Sequence, residues 1–104
     1  MNKNDFVNTV YKAARKLIYV ANQKNPRRME RLFLNVPINN DKDEYVDITA
    51  EYEITEDGDV GDLWIDFSYS RGEFNAWIRR PALDLKKIRK AAEELFQISK
   101  EEWI

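Results

Sequence analysis

Val46-Asp47-Ile48-Thr49-Ala50-Glu51-Tyr52-Glu53-Ile54 decides the fold. Apolar and polar residues alternate without a break, and successive strand side chains point to opposite faces, so this is a β-strand with one buried side. Val46, Ile48, Ala50, Tyr52 and Ile54 face a core, while Asp47, Thr49, Glu51 and Glu53 face the other way. The same period runs upstream from Arg31, where Leu32, Leu34, Val36 and Ile38 alternate with Phe33, Asn35 and Pro37. Pro37 has no N–H for a ladder, which places it at a strand end or on an edge strand. Downstream, Asp57-Gly58 and Gly61 make a turn. Leu63, Ile65, Phe67 and Tyr69 then alternate with Trp64, Asp66 and Ser68. Arg71-Gly72 reads as a tight hairpin turn into a fourth strand, Glu73 to Arg80, with Phe74, Ala76 and Ile78 inward and Glu73, Asn75 and Trp77 outward.

On either side of the strands the period changes to that of a helix. Between residues 6 and 23, Phe6, Val7, Val10, Tyr11, Ala14, Leu17, Ile18 and Ala21 fall within half of a helical wheel. Asp5 or Asn4 caps this helix, and Pro26 ends it by restricting Asn25. Between 84 and 98, Leu85, Ile88, Ala91, Ala92, Leu95, Phe96 and Ile98 share one side, with Asp84 as N-cap. Ser99-Lys100-Glu101-Glu102 has capping-box spacing and starts another short helical turn. The order is α-β-β-β-β-α. With hairpin-length connections, this predicts an α+β fold, a four-stranded antiparallel meander with two helices packed on one face. Residues 1-104 form a single domain, since 104 residues at 43% hydrophobic content supply one core and no more.

The chain has no His and no Cys. That excludes zinc fingers, haem and iron–sulfur ligation, thiol nucleophiles and Ser-His or Cys-His couples. Only three Ser and three Thr are present, and no glycine loop can cradle a phosphate. The carboxylates sit on an open strand face without the desolvation that tunes a general acid or base. The expectation is therefore not an enzyme, with no cofactor. In Glu56-Asp57-Gly58-Asp59-Val60-Gly61-Asp62 the acids resemble the start of a calcium loop, but the alternation breaks after two positions, so no metal site is expected. No apolar run is long enough for a signal peptide or a membrane span, which points to a soluble cytoplasmic protein.

The net charge of −2 conceals a strong segregation. Residues 1 to 40 carry +6, residues 41 to 66 carry −10, residues 67 to 90 carry +5 and residues 91 to 104 carry −3. Strand parity sends Asp47, Glu51, Glu53, Trp64, Asp66 and Trp77 to the helix-free face, with Phe33 and Tyr45 near them. Aromatic rings among charges are what partner-binding surfaces offer. The alternatives are cover by Trp103-Ile104, a shift of parity at a bulge, or a homodimer paired through this sheet face. Lys86, Lys87, Arg89 and Lys90 crowd the start of the second helix, against the preference of the helix dipole. The chain's own acidic hairpin and a Lys90 to Glu94 pair can balance them, and so can an external anion. Tyr19 lies off the apolar stripe among Lys12, Arg15 and Lys16, and Arg27, Arg28 and Arg31 follow.

Two functional expectations follow. The first is a small inhibitor or accessory protein, of the immunity or phage anti-defence type, whose acidic, Trp-bearing sheet face docks on a protein partner with a basic surface. The likeness to such inhibitors is one of physics and size. The second is an RNA- or DNA-binding module using Arg27, Arg28, Arg31, Lys86, Lys87, Arg89 and Lys90. The run Leu85 to Leu95 is similar to the last helix of double-stranded RNA-binding domains, where lysines at the helix start meet phosphates across the major groove. That resemblance covers about 11 residues and the helix–strands–helix order. The longer first helix, the fourth strand and the lack of a Gly-Pro-x-His loop depart from it. Carboxylates on the sheet argue against RNA binding there.

Overall fold

Asn2 starts the first helix. Its backbone is extended, and its side-chain oxygen accepts a hydrogen bond from the Asp5 amide at 2.9 Å, satisfying one of the donors a helix start leaves free. The cap is thus Asn2 rather than Asn4 or Asp5, because helical geometry already holds from Lys3. Asp5 instead lies in the first turn, where a negative charge suits the helix dipole. This helix, α1 (Lys3–Asn22), closes on Gln23, and Asn25 then accepts from the Arg27 amide in the turn that holds Pro26.

The computed structural model describes residues 2–29, 31–38, 41–70, 76–81 and 84–101, with side-chain surroundings for all of these except 41–42, 76–81 and 98–101. After α1 come β1 (Leu32–Ile38), β2 (Asp41–Ile54), β3 (Val60–Tyr69), β4 (Ala76–Pro81) and α2 (Leu85–Glu101). The strands pair antiparallel in the order β1-β2-β3-β4. Leu34, Ile48, Phe67 and Ile78 form one register row, and Phe33, Thr49, Asp66 and Arg79 form the next. β1 is an edge strand, and its register shifts between Pro37 and Ile38, where proline withholds a donor. The expected Arg71-Gly72 turn and the outward Glu73 and Asn75 lie outside the described residues.

Both helices cover the same sheet face. Val46, Ile48, Ala50, Leu63, Ile65, Phe67 and Tyr69 pack with the apolar stripe of α1 and with Ile88, Ala91, Ala92, Leu95 and Phe96 of α2 in one core. Each large apolar side chain buried there contributes about 1.5–3 kcal/mol of transfer free energy. Asp84 caps α2 by accepting from the amides of Lys86 and Lys87 at 3.0 and 3.2 Å. The helix then continues unbroken through Ser99 to Glu101, so Ser99 lies inside α2 rather than capping a new turn. Trp103 and Ile104 lie outside the described residues. No helix is long and apolar enough to cross a membrane among those residues.

Two residues depart from the alternation as read. β2 begins at Asp41, five residues before Val46, and its inward parity carries Glu44 into the core side, where it is 5% exposed. The Tyr69 hydroxyl donates to Glu44 Oε1 at 2.6 Å, satisfying a carboxylate that water no longer reaches. Ile54, expected in the core, is 59% exposed. The register shifts between Tyr52 and Ile54, and β1 begins opposite Ala50 while β4 ends opposite Trp64. The end of the β2–β3 hairpin therefore runs past both neighbouring strands, where the sheet supplies no lateral partner.

Gly58 makes that turn possible. Its φ of 81° is in the left-handed region, and its amide donates to the Thr55 carbonyl at 2.9 Å. A Cβ here would meet nothing within 4 Å, so only the backbone opposes substitution. Gly58→Ala should lower stability by about 1 kcal/mol. Urea unfolding would measure this, and an unchanged midpoint would show that the turn adopts another conformation.

Candidate functional site

The helix-free sheet face presents odd-numbered residues of β1 and β2 and even-numbered residues of β3. Three carboxylates here, Asp47, Glu51 and Glu53, are each held by a neighbour on the same chain. Asn35, directly opposite Asp47, donates its amide to Asp47 Oδ1 at 2.8 Å. Arg31, one residue before β1, donates both Nε and Nη2 to Glu51 Oε2 at 3.3 Å. The Trp64 indole donates to Glu53 Oε2 at 3.2 Å. Phe33 stands beside this group at 61% exposure, and Trp64 is half-buried. Four of the six residues expected on this face therefore meet on one surface: Asp47, Glu51, Glu53 and Trp64.

Asp66 departs from the expected surface, being only 8% exposed. It is a short side chain on an inner strand, between Thr49 of β2 and Arg79 of β4 in the register, with Trp64 two positions along. Flanking strands on both sides remove it from solvent, as they do Ser68. Strand parity tells which face a residue takes but not how deeply its neighbours stand over it. Trp77 pairs with Ser68 through the backbone, and its side chain lies outside the described residues. The hairpin end adds an open hollow lined by Glu51, Tyr52, Glu53, Ile54 and Trp64. Glu56, Asp57, Asp59 and Asp62 are exposed around the adjoining turn. Among the described residues no three metal-ligating side chains converge.

The basic clusters are divided. Arg31 is tied to Glu51, so one member does neutralise the acidic hairpin. Arg27 and Arg28 are exposed in the loop after α1, and Arg28, Arg31 and Lys24 border a shallow hollow with Met29. On α2, Arg89 lies over the Tyr11 ring at 4.2 Å and donates to Asn8 Oδ1 at 3.2 Å. Lys86, Lys87 and Lys90 are exposed and form no ion pair among the described residues, so the Lys90 to Glu94 pair is not made.

Sequence reasoning missed two arrangements. Glu44 becomes legible once the alternation is extended back from Val46. The Asn8, Tyr11 and Arg89 contact joins residues far apart in sequence, and no local pattern announces it. Comparison with family models, curated proteins and solved structures finds no match to this chain, so the functional reading rests on geometry and charge.

Proposed function

We propose that the protein is a non-enzymatic inhibitor or accessory factor that binds a basic surface of another protein through its helix-free sheet face. The observation that carries this reading is the row of carboxylates held by neighbours beside an exposed ring: Asp47 by Asn35, Glu51 by Arg31, Glu53 by Trp64, with Phe33 alongside. Ordering a flexible side chain on binding costs about 0.5–1.5 kcal/mol. Carboxylates already oriented on strands avoid part of that cost. Their charge, with that of the hairpin end, steers a cationic partner toward the face. Phe33 and Trp64 supply the apolar contact that slows departure once docked.

The test is capture of partners from host lysate with tagged protein, at low and high salt, after nuclease treatment. The expected result is a basic protein that survives nuclease and is released by salt. Nuclease-treated protein that retains no partner, or that elutes only as a homodimer through this face, contradicts the reading.

A further inference from the structure

We infer that the outer face of the α1 and α2 pair is a second binding site, one that takes the phosphate backbone of single-stranded nucleic acid. The two helices run antiparallel: Phe6 packs on Phe96 with ring centroids 5.4 Å apart, whereas Asn8 and Tyr11 further along α1 meet Arg89 nearer the start of α2. Lys12 and Arg15 therefore run beside the first turns of α2, which carry Lys86 and Lys90, and Tyr19 lies further along α1, past the start of α2. These residues come from opposite ends of the chain, and all are exposed.

Four features point to an anion here. First, Arg15 and Arg89 approach the same Tyr11 ring, at 5.7 and 4.2 Å from its centroid. Two like charges sharing one ring repel, and neither has a carboxylate partner among the described residues. Second, Arg89 is held over the ring and donates one hydrogen bond to Asn8, which leaves further N–H donors for phosphate recognition. Third, Asp84 is the acid that caps α2, its first turn holds no further acid, and Lys86, Lys87 and Lys90 form no ion pair among the described residues, so cations outnumber anions at an end where the helix dipole disfavours them. The chain's own hairpin does not neutralise them, since its ion pair is made with Arg31. Fourth, Tyr19 is 66% exposed one helical turn beyond Arg15 and Lys16, at the end of the basic strip, where an unstacked base can lie on its ring.

Tyr19 is what selects a single strand, because duplex bases present no free ring face to it. The acidic sheet face lies on the far side of the helix layer. One helix diameter, about 10–12 Å, exceeds the screening length of about 8 Å at physiological salt, so those acids do not cancel the basic face. This site is independent of the sheet-face reading and uses none of its residues.

The experiment is fluorescence anisotropy of the full chain with a labelled single-stranded RNA of mixed sequence and with a labelled DNA duplex, across a salt series. The expected result is single-strand binding that weakens linearly with log salt, with a slope of about −0.7 for each phosphate neutralised. Arg15→Glu with Lys86→Glu should weaken it by about tenfold or more and flatten the slope. Tyr19→Ala should weaken single-strand binding by about fivefold or more at an unchanged salt slope. Glu51→Lys should leave it within about twofold, being on the opposite face. Circular dichroism confirms that these surface variants fold. No binding at low salt, or binding that survives the Arg15 and Lys86 reversals, overturns the site; equal or tighter binding of the duplex, or an unchanged affinity in Tyr19→Ala, overturns the single-strand assignment.

Discussion

Phe67→Ala should lower the free energy of unfolding by about 3–5 kcal/mol. Phe67 is fully buried on the inner strand β3, between Ile48 of β2 and Ile78 of β4 in the register, and faces the helix layer. Removing its ring deletes the transfer free energy of the side chain. It also leaves a cavity that helices anchored along the sheet cannot collapse to fill. Domains of this size have about 5–15 kcal/mol in total, so the loss takes a large fraction of it. The midpoint temperature should fall by about 4–8 °C for each kcal/mol. Phe33→Ala is the matched control. It sits on the adjacent register row and points to the opposite face, where exposure limits its cost to within about 0.5 kcal/mol. Urea unfolding of both variants measures the difference. Equal losses would contradict the assignment of the two sheet faces.

Reversing Glu51 and Glu53 together should produce the largest change in partner binding. Glu51→Lys with Glu53→Lys moves the local charge by four units at the join of the sheet face and the acidic hairpin end. Association with the captured basic protein should slow by about 10–100-fold at low salt, and the salt dependence of the on-rate should shrink. Trp64→Ala should act differently, chiefly by raising the dissociation rate, since it removes contact area rather than long-range attraction. The reversal also breaks the Arg31 pair, but exposed ion pairs contribute only about 0–1 kcal/mol, so the variant should still fold. Surface plasmon resonance at two salt concentrations separates the rates. An on-rate unchanged by the double reversal would remove the sheet face from the account.

Much of this architecture was legible in the chain because its strands alternate apolar side chains toward the helices with polar ones away from them. Val46 to Ala50 and Leu63 to Tyr69 state their inward residues by alternation, and Phe6 to Ala21 states its stripe by helical spacing. What escaped was the lateral dimension. Ile54 keeps the apolar alternation yet lies beyond the neighbouring strands, and Asp66 keeps the polar alternation yet is covered between them. Both depend on where adjacent strands begin and end, which no period within one strand encodes. The site shows the same division: face membership of Asp47, Glu51, Glu53 and Trp64 follows from parity. Their tethering by Asn35, Arg31 and Trp64 follows from register between strands. Likewise, the charge runs marked the start of α2 as basic, but only the helix crossing reveals that Arg89 lies on Tyr11 beside Arg15.

The most direct test of the central claim is site-specific photocrosslinking in host lysate, with a photoreactive phenylalanine analogue placed at Phe33 and, as control, at Gln97 on the exposed side of α2. The account predicts a covalent adduct from position 33 to a basic protein, formed after nuclease treatment, suppressed by high salt and absent from position 97. Equal labelling from both positions, no adduct from position 33, or an adduct there only with a second copy of this chain would contradict it.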